Sequence, residues 1–111
     1  MNAEILIVDD IPSNLNFISD ILYNEGFRIT VATNGKDAIE TARIKKPDLI
    51  LLDIAMPMID GYEVCKILKS DSETNDIPII FLTAKVDYED IIKGFSAGAV
   101  DFVPNHLTLP N

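Results

Sequence analysis

Short apolar runs alternate along the chain with segments in which apolar residues recur at helical spacing. The run from Ile5 to Val8 is continuous and β-branched, which is typical of a strand covered on both faces. Pro12 suits the first turn of a helix, and Gly26 suits its end. Between them the apolar stripe of the predicted helix consists of Leu15, Ile18, Ile21 and Leu22.

The same alternation continues to position 103. Further strands are predicted over 27–32, 49–53, 78–83 and 100–103. Asn34-Gly35 is predicted to form a turn, and Asp60 is predicted to cap the third helix. The second helix is predicted before Pro47 with the stripe Ala38, Ile39, Ala42 and Ile44, the third with the stripe Tyr62, Val64, Cys65, Ile67 and Leu68, and the fourth over about 88–96 before Gly98. Strands that alternate with helices predict a doubly wound α/β domain with a parallel sheet.

Composition narrows the function classes. A length of 111 residues, 48% of them hydrophobic and 24% charged, is typical of one globular domain. The net charge of -9 disfavours nucleic acid and anionic membrane surfaces as partners. Cys65 is the only cysteine, and the apolar runs are far shorter than the ~20 residues of a membrane helix. We therefore expect a cytoplasmic domain that binds neither nucleic acid nor membrane.

Polar residues follow several predicted strands. Asp9 and Asp10 follow the first strand, and Asp53 and Thr83 end the third and fourth strands. The carboxyl ends of parallel strands lie at one edge of the sheet, where ligands of such folds bind. Any one of these residues alone is more often a cap or a loop residue. Their joint position predicts a functional site.

Three carboxylates at one edge repel one another unless a cation lies between them. Mg²⁺ prefers oxygen ligands and commonly binds one or two carboxylates together with a phosphate oxygen. Asp53 is the candidate nucleophile, because a carboxylate can form an acyl phosphate. The Thr83 hydroxyl and the Ala84 N–H are candidate donors to a phosphoryl oxygen. The pattern therefore indicates phosphoryl chemistry.

Four segments together resemble the signatures of a known family. They are the first strand with Asp9-Asp10, then 53–61 (DIAMPMIDG), 81–84 (FLTA) and 98–103 (GAVDFV). In this order they are similar to the receiver domain of two-component response regulators. The resemblance covers nearly the whole chain and implies a five-stranded parallel sheet in the order 2-1-3-4-5.

The resemblance also implies roles for individual residues. Asp10 and Asp53 would bind Mg²⁺ directly, Asp9 through water, and Ala55 through its backbone carbonyl. Asp53 would accept a phosphoryl group from a histidine kinase or a histidine phosphotransfer protein. Thr83 and Phe102 would then move and change the surface that a downstream protein partner binds. Such a domain is not an enzyme in its own right.

The chain departs from the family pattern after Val103. Asn105 stands where the family has a lysine that contacts the phosphoryl group, and the last helix is missing. We therefore expect a receiver domain over 1–103 and an atypical tail over 104–111, produced by truncation or a frameshift, which the DNA sequence of the gene tests. Without its last helix the sheet would leave apolar surface uncovered, so a homodimer is expected.

Two other interpretations follow from the same residues. A degenerate receiver would keep the fold and act as a phosphorylation-independent interaction module, because it lacks the lysine expected at position 105. A metal-dependent phosphatase of related topology would also use an aspartyl nucleophile. That class is disfavoured, since this chain has Ala55 where the second aspartate is needed and carries no cap domain.

Overall fold

The computed structural model describes residues 2–83, 96–98 and 101–104, without the side chains of residues 83 and 101–104. Its elements are β1 (Glu4–Val8), α1 (Pro12–Asn24), β2 (Arg28–Ala32), α2 (Gly35–Lys45), β3 (Leu49–Asp53), α3 (Gly61–Ser70), β4 (Ile79–Thr83) and β5 (Asp101–Pro104). All neighbouring strands are parallel, and their order in the five-stranded sheet is β2-β1-β3-β4-β5. The predicted doubly wound α/β fold is confirmed.

The sheet is covered on both faces, and the alternation of side chains along β1 shows this directly. Leu6 and Val8 belong to a core cluster with residues of α2 and α3. Ile5 and Ile7 belong to a second cluster with residues of α1. Because successive side chains of a strand point to opposite faces, a strand buried on both sides must be apolar throughout. This explains why β1 reads as an unbroken apolar run.

The prediction of a turn at Asn34-Gly35 was wrong. Asn34 is the N-cap of α2, and its side-chain oxygen accepts a hydrogen bond of 2.8 Å from the backbone N–H of Asp37. Gly35 is the first residue of the helix. An added Cβ at Gly35 would lie 2.8 Å from Cγ2 of Val64, so the glycine allows α2 to approach α3 closely. The same two residue types serve turns and helix starts, which is why the pattern misled.

The predicted apolar stripes hold for most of their members and fail for two. Ile44 of α2 is 80% exposed and Ile21 of α1 is 41% exposed, so neither is a core residue. Met58, in the loop after β3, is fully exposed and has a left-handed backbone with φ of 70°. Met56, two residues earlier in the same loop, is buried. Periodicity predicts which side of a helix faces the core, but it does not predict how much of that side the sheet and the neighbouring helices cover.

The last part of the chain is only partly described. The predicted fourth helix lies outside the described residues except at its end, where Ser96 and Ala97 are helical and Gly98 has φ of 106°. Ala97 packs against α3, and its carbonyl oxygen accepts a hydrogen bond of 3.3 Å from Sγ of Cys65. The tail from 105 to 111, with Asn105, also lies outside the described residues. Among the helices of the described part, none has the length and apolar character needed to cross a bilayer.

The cap at the start of α3 provides a test of this architecture. Asp60 accepts a hydrogen bond of 2.9 Å from the N–H of Glu63 through Oδ1, as the sequence predicts. Asp60→Ala should lower the free energy of unfolding by about 1 kcal/mol, measured by urea denaturation. Asp60→Asn keeps the acceptor and should lose much less. Equal losses in the two variants would contradict a capping role.

Candidate metal centre

The register of β1 and β3 brings the two buried aspartates of the site together. Val8 pairs with Leu52, so the next residues, Asp9 after the end of β1 and Asp53 at the end of β3, lie side by side. Neighbouring strands are about 4.8 Å apart in the hydrogen-bonding direction. β2 lies on one side of β1, and β3 lies on the other, so the strand order reverses between the adjacent strands β1 and β3. Ligands of such sheets bind at this reversal.

Asp10 completes a compact cluster with Asp9 and Asp53. One carboxylate oxygen from each residue lies within 4.8 Å of the others. Asp9 is completely buried, Asp53 is 5% exposed, and Asp10 is half-buried. The sequence prediction that these three residues meet at one edge of the sheet is therefore confirmed in its geometry.

The cluster fits a hard divalent cation. Two unit charges at 4.8 Å, the upper limit for each of the three pairs here, repel by roughly 3 to 4 kcal/mol at an effective dielectric constant near 20. The Oδ1 atom of Asp10 is buried and has no hydrogen-bond partner among the described residues. A buried carboxylate oxygen in this state is costly unless it is paired or binds a metal. An all-oxygen donor set of this kind suits Mg²⁺.

Asp53 has a strongly perturbed acidity. The pKa of its carboxyl is raised from 3.8 to about 7, chiefly by burial and in addition by the neighbouring charges of Asp9 and Asp10. Hydrogen bonds from the backbone N–H groups of Ala55 and Ile54 oppose this shift in the pKa. A cation between the carboxylates would favour the ionised form and so restore a nucleophilic Asp53 near neutral pH.

Asp9 is held in place by the backbone. Its Oδ1 accepts a hydrogen bond of 2.9 Å from the N–H of Ile11, and its own N–H donates to the carbonyl oxygen of Ala32 at 3.2 Å. These two contacts fix the side chain and the main chain of Asp9 at the top of the sheet. The role of the Ile11 N–H was not predicted, since a backbone donor leaves no signal in the residue types.

The other predicted site residues are placed as follows. Ala55 is exposed in the loop after β3. Thr83 is the last residue of β4 and follows Leu82, which pairs with Asp53. The backbone therefore puts Thr83 at the same edge as the carboxylates, while its side chain and all of Ala84 lie outside what the structure describes. Gly61, to which the sequence analysis assigned no role of its own, also lies against the site, since an added Cβ would overlap the carbonyl oxygen of Asp53.

A parallel α/β sheet with a carboxylate cluster at the switch between its halves defines a doubly wound α/β domain whose site is suited to Mg²⁺ and to a phosphate group. The model of the response regulator receiver domain family matches residues 5–109 of this chain. The chain belongs to the response regulator receiver domain family.

Two relatives illustrate how this domain is used. The DNA-binding response regulator MtrA of Mycolicibacterium smegmatis is 41% identical over 103 residues, which are 93% of this chain and 44% of that protein. A probable cyclic di-GMP phosphodiesterase of Vibrio cholerae is 46% identical over 106 residues, 96% of this chain and 24% of that protein. The chain thus spans less than half of either relative.

Solved structures agree with the fold and with the cation. The chemotaxis protein CheY4 of Vibrio cholerae superposes with a TM-score of 0.92 at 28% identity and covers 97% of this chain and 90% of its own. The receiver domain of a sensor histidine kinase from Pseudomonas aeruginosa has a TM-score of 0.88 at 30% identity, covering 97% of this chain and 88% of its own. In that structure a magnesium ion is coordinated in the active-site cleft. The prediction of Mg²⁺ as the cofactor is supported by this neighbour and by the carboxylate cluster.

The raised pKa of Asp53 predicts a pH-dependent effect of removing its charge. Protonation of this carboxyl stabilises the folded state, and the contribution is complete below about pH 4 and lost as the pH rises through about 7. In metal-free buffer, Asp53→Asn should therefore be more stable than the unmodified protein at pH 8. The advantage, at most about 4 kcal/mol, should shrink towards pH 5.

Urea denaturation at several pH values measures this difference. Excess Mg²⁺ should remove the advantage of Asp53→Asn, because the cation offsets the same repulsion. Asp20→Asn, at an exposed carboxylate of α1, is the control and should show no such pH dependence. A stability difference for Asp53→Asn that stays constant from pH 5 to 8 would contradict the raised pKa.

Proposed function

We propose that this domain is the phosphoacceptor of a two-component signalling system, with Asp53 as the acceptor of a phosphoryl group from a phosphohistidine. The observation that carries the proposal is the cluster of Asp9, Asp10 and Asp53 within 4.8 Å at the switch of the parallel sheet. Family membership and the magnesium-bound neighbour support the same chemistry.

The proposed reaction transfers the phosphoryl group from nitrogen to oxygen. A carboxylate oxygen of Asp53 attacks phosphorus, the phosphorus–nitrogen bond of the donor breaks, and the imidazole leaves with the bonding electron pair. Asp10, Asp53 and the carbonyl of Ala55 would hold Mg²⁺ directly and Asp9 through water, and the bound cation would offset the charge of the phosphoryl oxygens. The Thr83 hydroxyl and the Ala84 N–H would donate to the product, and Asn105 can offer only a neutral hydrogen bond.

The outcome of phosphorylation belongs to other proteins or other domains. The two relatives are named as a DNA-binding regulator and as a phosphodiesterase, and they share with this chain only the receiver part. We therefore infer that this domain itself neither catalyses turnover of a substrate nor binds nucleic acid, and that it acts in the cytoplasm through a downstream protein partner. The homodimer, the division at 103/104 and the origin of the tail stay predictions.

The phosphohistidine donor must approach Asp53 closely, and α1 offers apolar surface for that approach. Phe17 is 47% exposed and Ile21 is 41% exposed, and they lie one turn apart on the same side of the helix. The helix begins two residues after Asp10, so Phe17 lies only about 8 Å along its axis from the first helical residue. We propose that this pair contacts the donor protein, because covering exposed apolar side chains with a partner contributes favourable free energy to binding.

The first test is phosphorylation without a kinase. With Mg²⁺ and acetyl phosphate, intact-mass spectrometry should show the addition of one phosphoryl group to the protein. Asp53→Asn should abolish the addition, and chelation of Mg²⁺ should suppress it. Asp48→Asn, at an acid on the opposite edge of the sheet, should leave it unchanged. A folded protein that is never modified, and never binds beryllofluoride, would favour the degenerate receiver over the competent one.

The second test concerns the donor surface. Phe17→Ala should lower kcat/KM for transfer from a phosphorylated histidine kinase by roughly tenfold, measured with whichever kinase of a purified panel transfers fastest. The rate with acetyl phosphate should not change, because a small donor needs no protein contact. Tyr23→Ala is the control, since Tyr23 is 71% exposed but is rotated by about 160° from Ile21 around the helix. An equal loss for both variants would argue against a specific α1 contact.

A further inference from the structure

The chain that leaves β3 after Asp53 returns to its own starting point. Residues 54–61 form a closed loop, called here the 54–61 loop, in which the N–H of Gly61 donates to the carbonyl oxygen of Ile54 at 2.8 Å. Gly61 is also the first residue of α3. The loop and the helix are therefore anchored at one point, directly beside the last residue of β3.

Gly61 leaves no room for a side chain. A Cβ added to it would overlap the carbonyl oxygen of Asp53 and would lie 2.8 Å from Cα of Ile54. Both of these atoms belong to the backbone, so no change of rotamer could relieve the overlap. Among the glycines of the described residues, only Gly26 and Gly98 have a positive φ. Gly61 is therefore required for the close approach of the two backbones and not for an unusual backbone conformation.

The backbone that Gly61 contacts belongs to the cation site. Ile54 and Ala55 donate their N–H groups to the Asp53 carboxylate. The same N–H of Ile54 also donates to the carbonyl oxygen of Leu82 in β4 at 3.3 Å, so this donor is shared between two acceptors. A displacement of this short segment would therefore change the orientation of the Asp53 side chain relative to Asp9 and Asp10.

We propose that Gly61 is a positioning residue for the site, which holds the 54–61 loop against the backbone of Asp53 so that the three carboxylates and the Ala55 carbonyl keep the geometry that Mg²⁺ requires. This inference rests on the proposed function, because it assumes that the cluster binds Mg²⁺. It differs from that function in assigning part of the cation affinity to a residue that contributes no ligand.

The test compares Gly61→Ala with a control on the same helix. Groups that orient metal ligands typically change affinity by about 10- to 100-fold when altered. Calorimetric titration with Mg²⁺ should therefore show a loss of at least about tenfold for Gly61→Ala. In the metal-free protein, the amide protons of Ile54 and Ala55 should exchange at least about tenfold faster, measured by NMR.

Val64→Ala is the control for lost stability. Val64 lies one turn beyond Gly61, is fully buried, and lies close to Gly35 at the start of α2. Its truncation should lower the stability of α3 but leave the Mg²⁺ affinity within about twofold. An unchanged Mg²⁺ affinity in Gly61→Ala would overturn the proposal, and so would an equal loss in Val64→Ala.

Two outcomes separate this proposal from the function on which it rests. If the unmodified protein does not bind Mg²⁺, the proposed function fails, whereas faster exchange at Ile54 and Ala55 in Gly61→Ala would still support the positioning role. If Gly61→Ala does not fold, amide exchange in the unmodified protein decides. The Gly61 amide should then exchange more slowly than that of exposed Met58, and equal rates would overturn the proposal.

Discussion

The mutual repulsion of three carboxylates is the constraint around which this domain is arranged. Asp9, Asp10 and Asp53 lie close enough that their charges oppose folding, and burial of two of them increases the cost. The rest of the molecule must therefore hold the cluster together. The paired strands β1 and β3 do this with side chains that are largely buried on both faces, so the aspartates cannot separate without disrupting the core.

The same repulsion explains why a cation can act as part of a switch. A site that is unfavourable by itself gains much from Mg²⁺, and the bound cation in turn favours a further anionic group at the same place. The favourable coupling between the binding of the cation and the binding of the phosphoryl group therefore arises locally, at the ends of two strands. This locality is consistent with the relatives, in which the same domain occupies 44% or 24% of proteins with differently named outputs.

Much of the architecture and the site could be predicted because both follow from strand ends. Continuous apolar runs identify strands buried on two faces, and the residues after them must share one edge of a parallel sheet. Other features depend on what approaches from elsewhere in the fold. Ile44 is exposed because nothing in the described residues covers its side of α2, and Met58 is exposed at a left-handed position in a loop. The close contact of Gly61 with Asp53 joins atoms that no periodicity relates.

The alternation of core side chains along β1 has a consequence for how the sequence of this domain can diverge in evolution. Neighbouring residues such as Leu6 and Ile7 support different helical layers, one through α2 and α3 and the other through α1. A substitution at one position can alter the packing on its own side of the sheet while the adjacent position preserves the other side. The two surfaces of the domain can therefore diversify separately under selection, although the strand that divides them also ends in the acidic pocket.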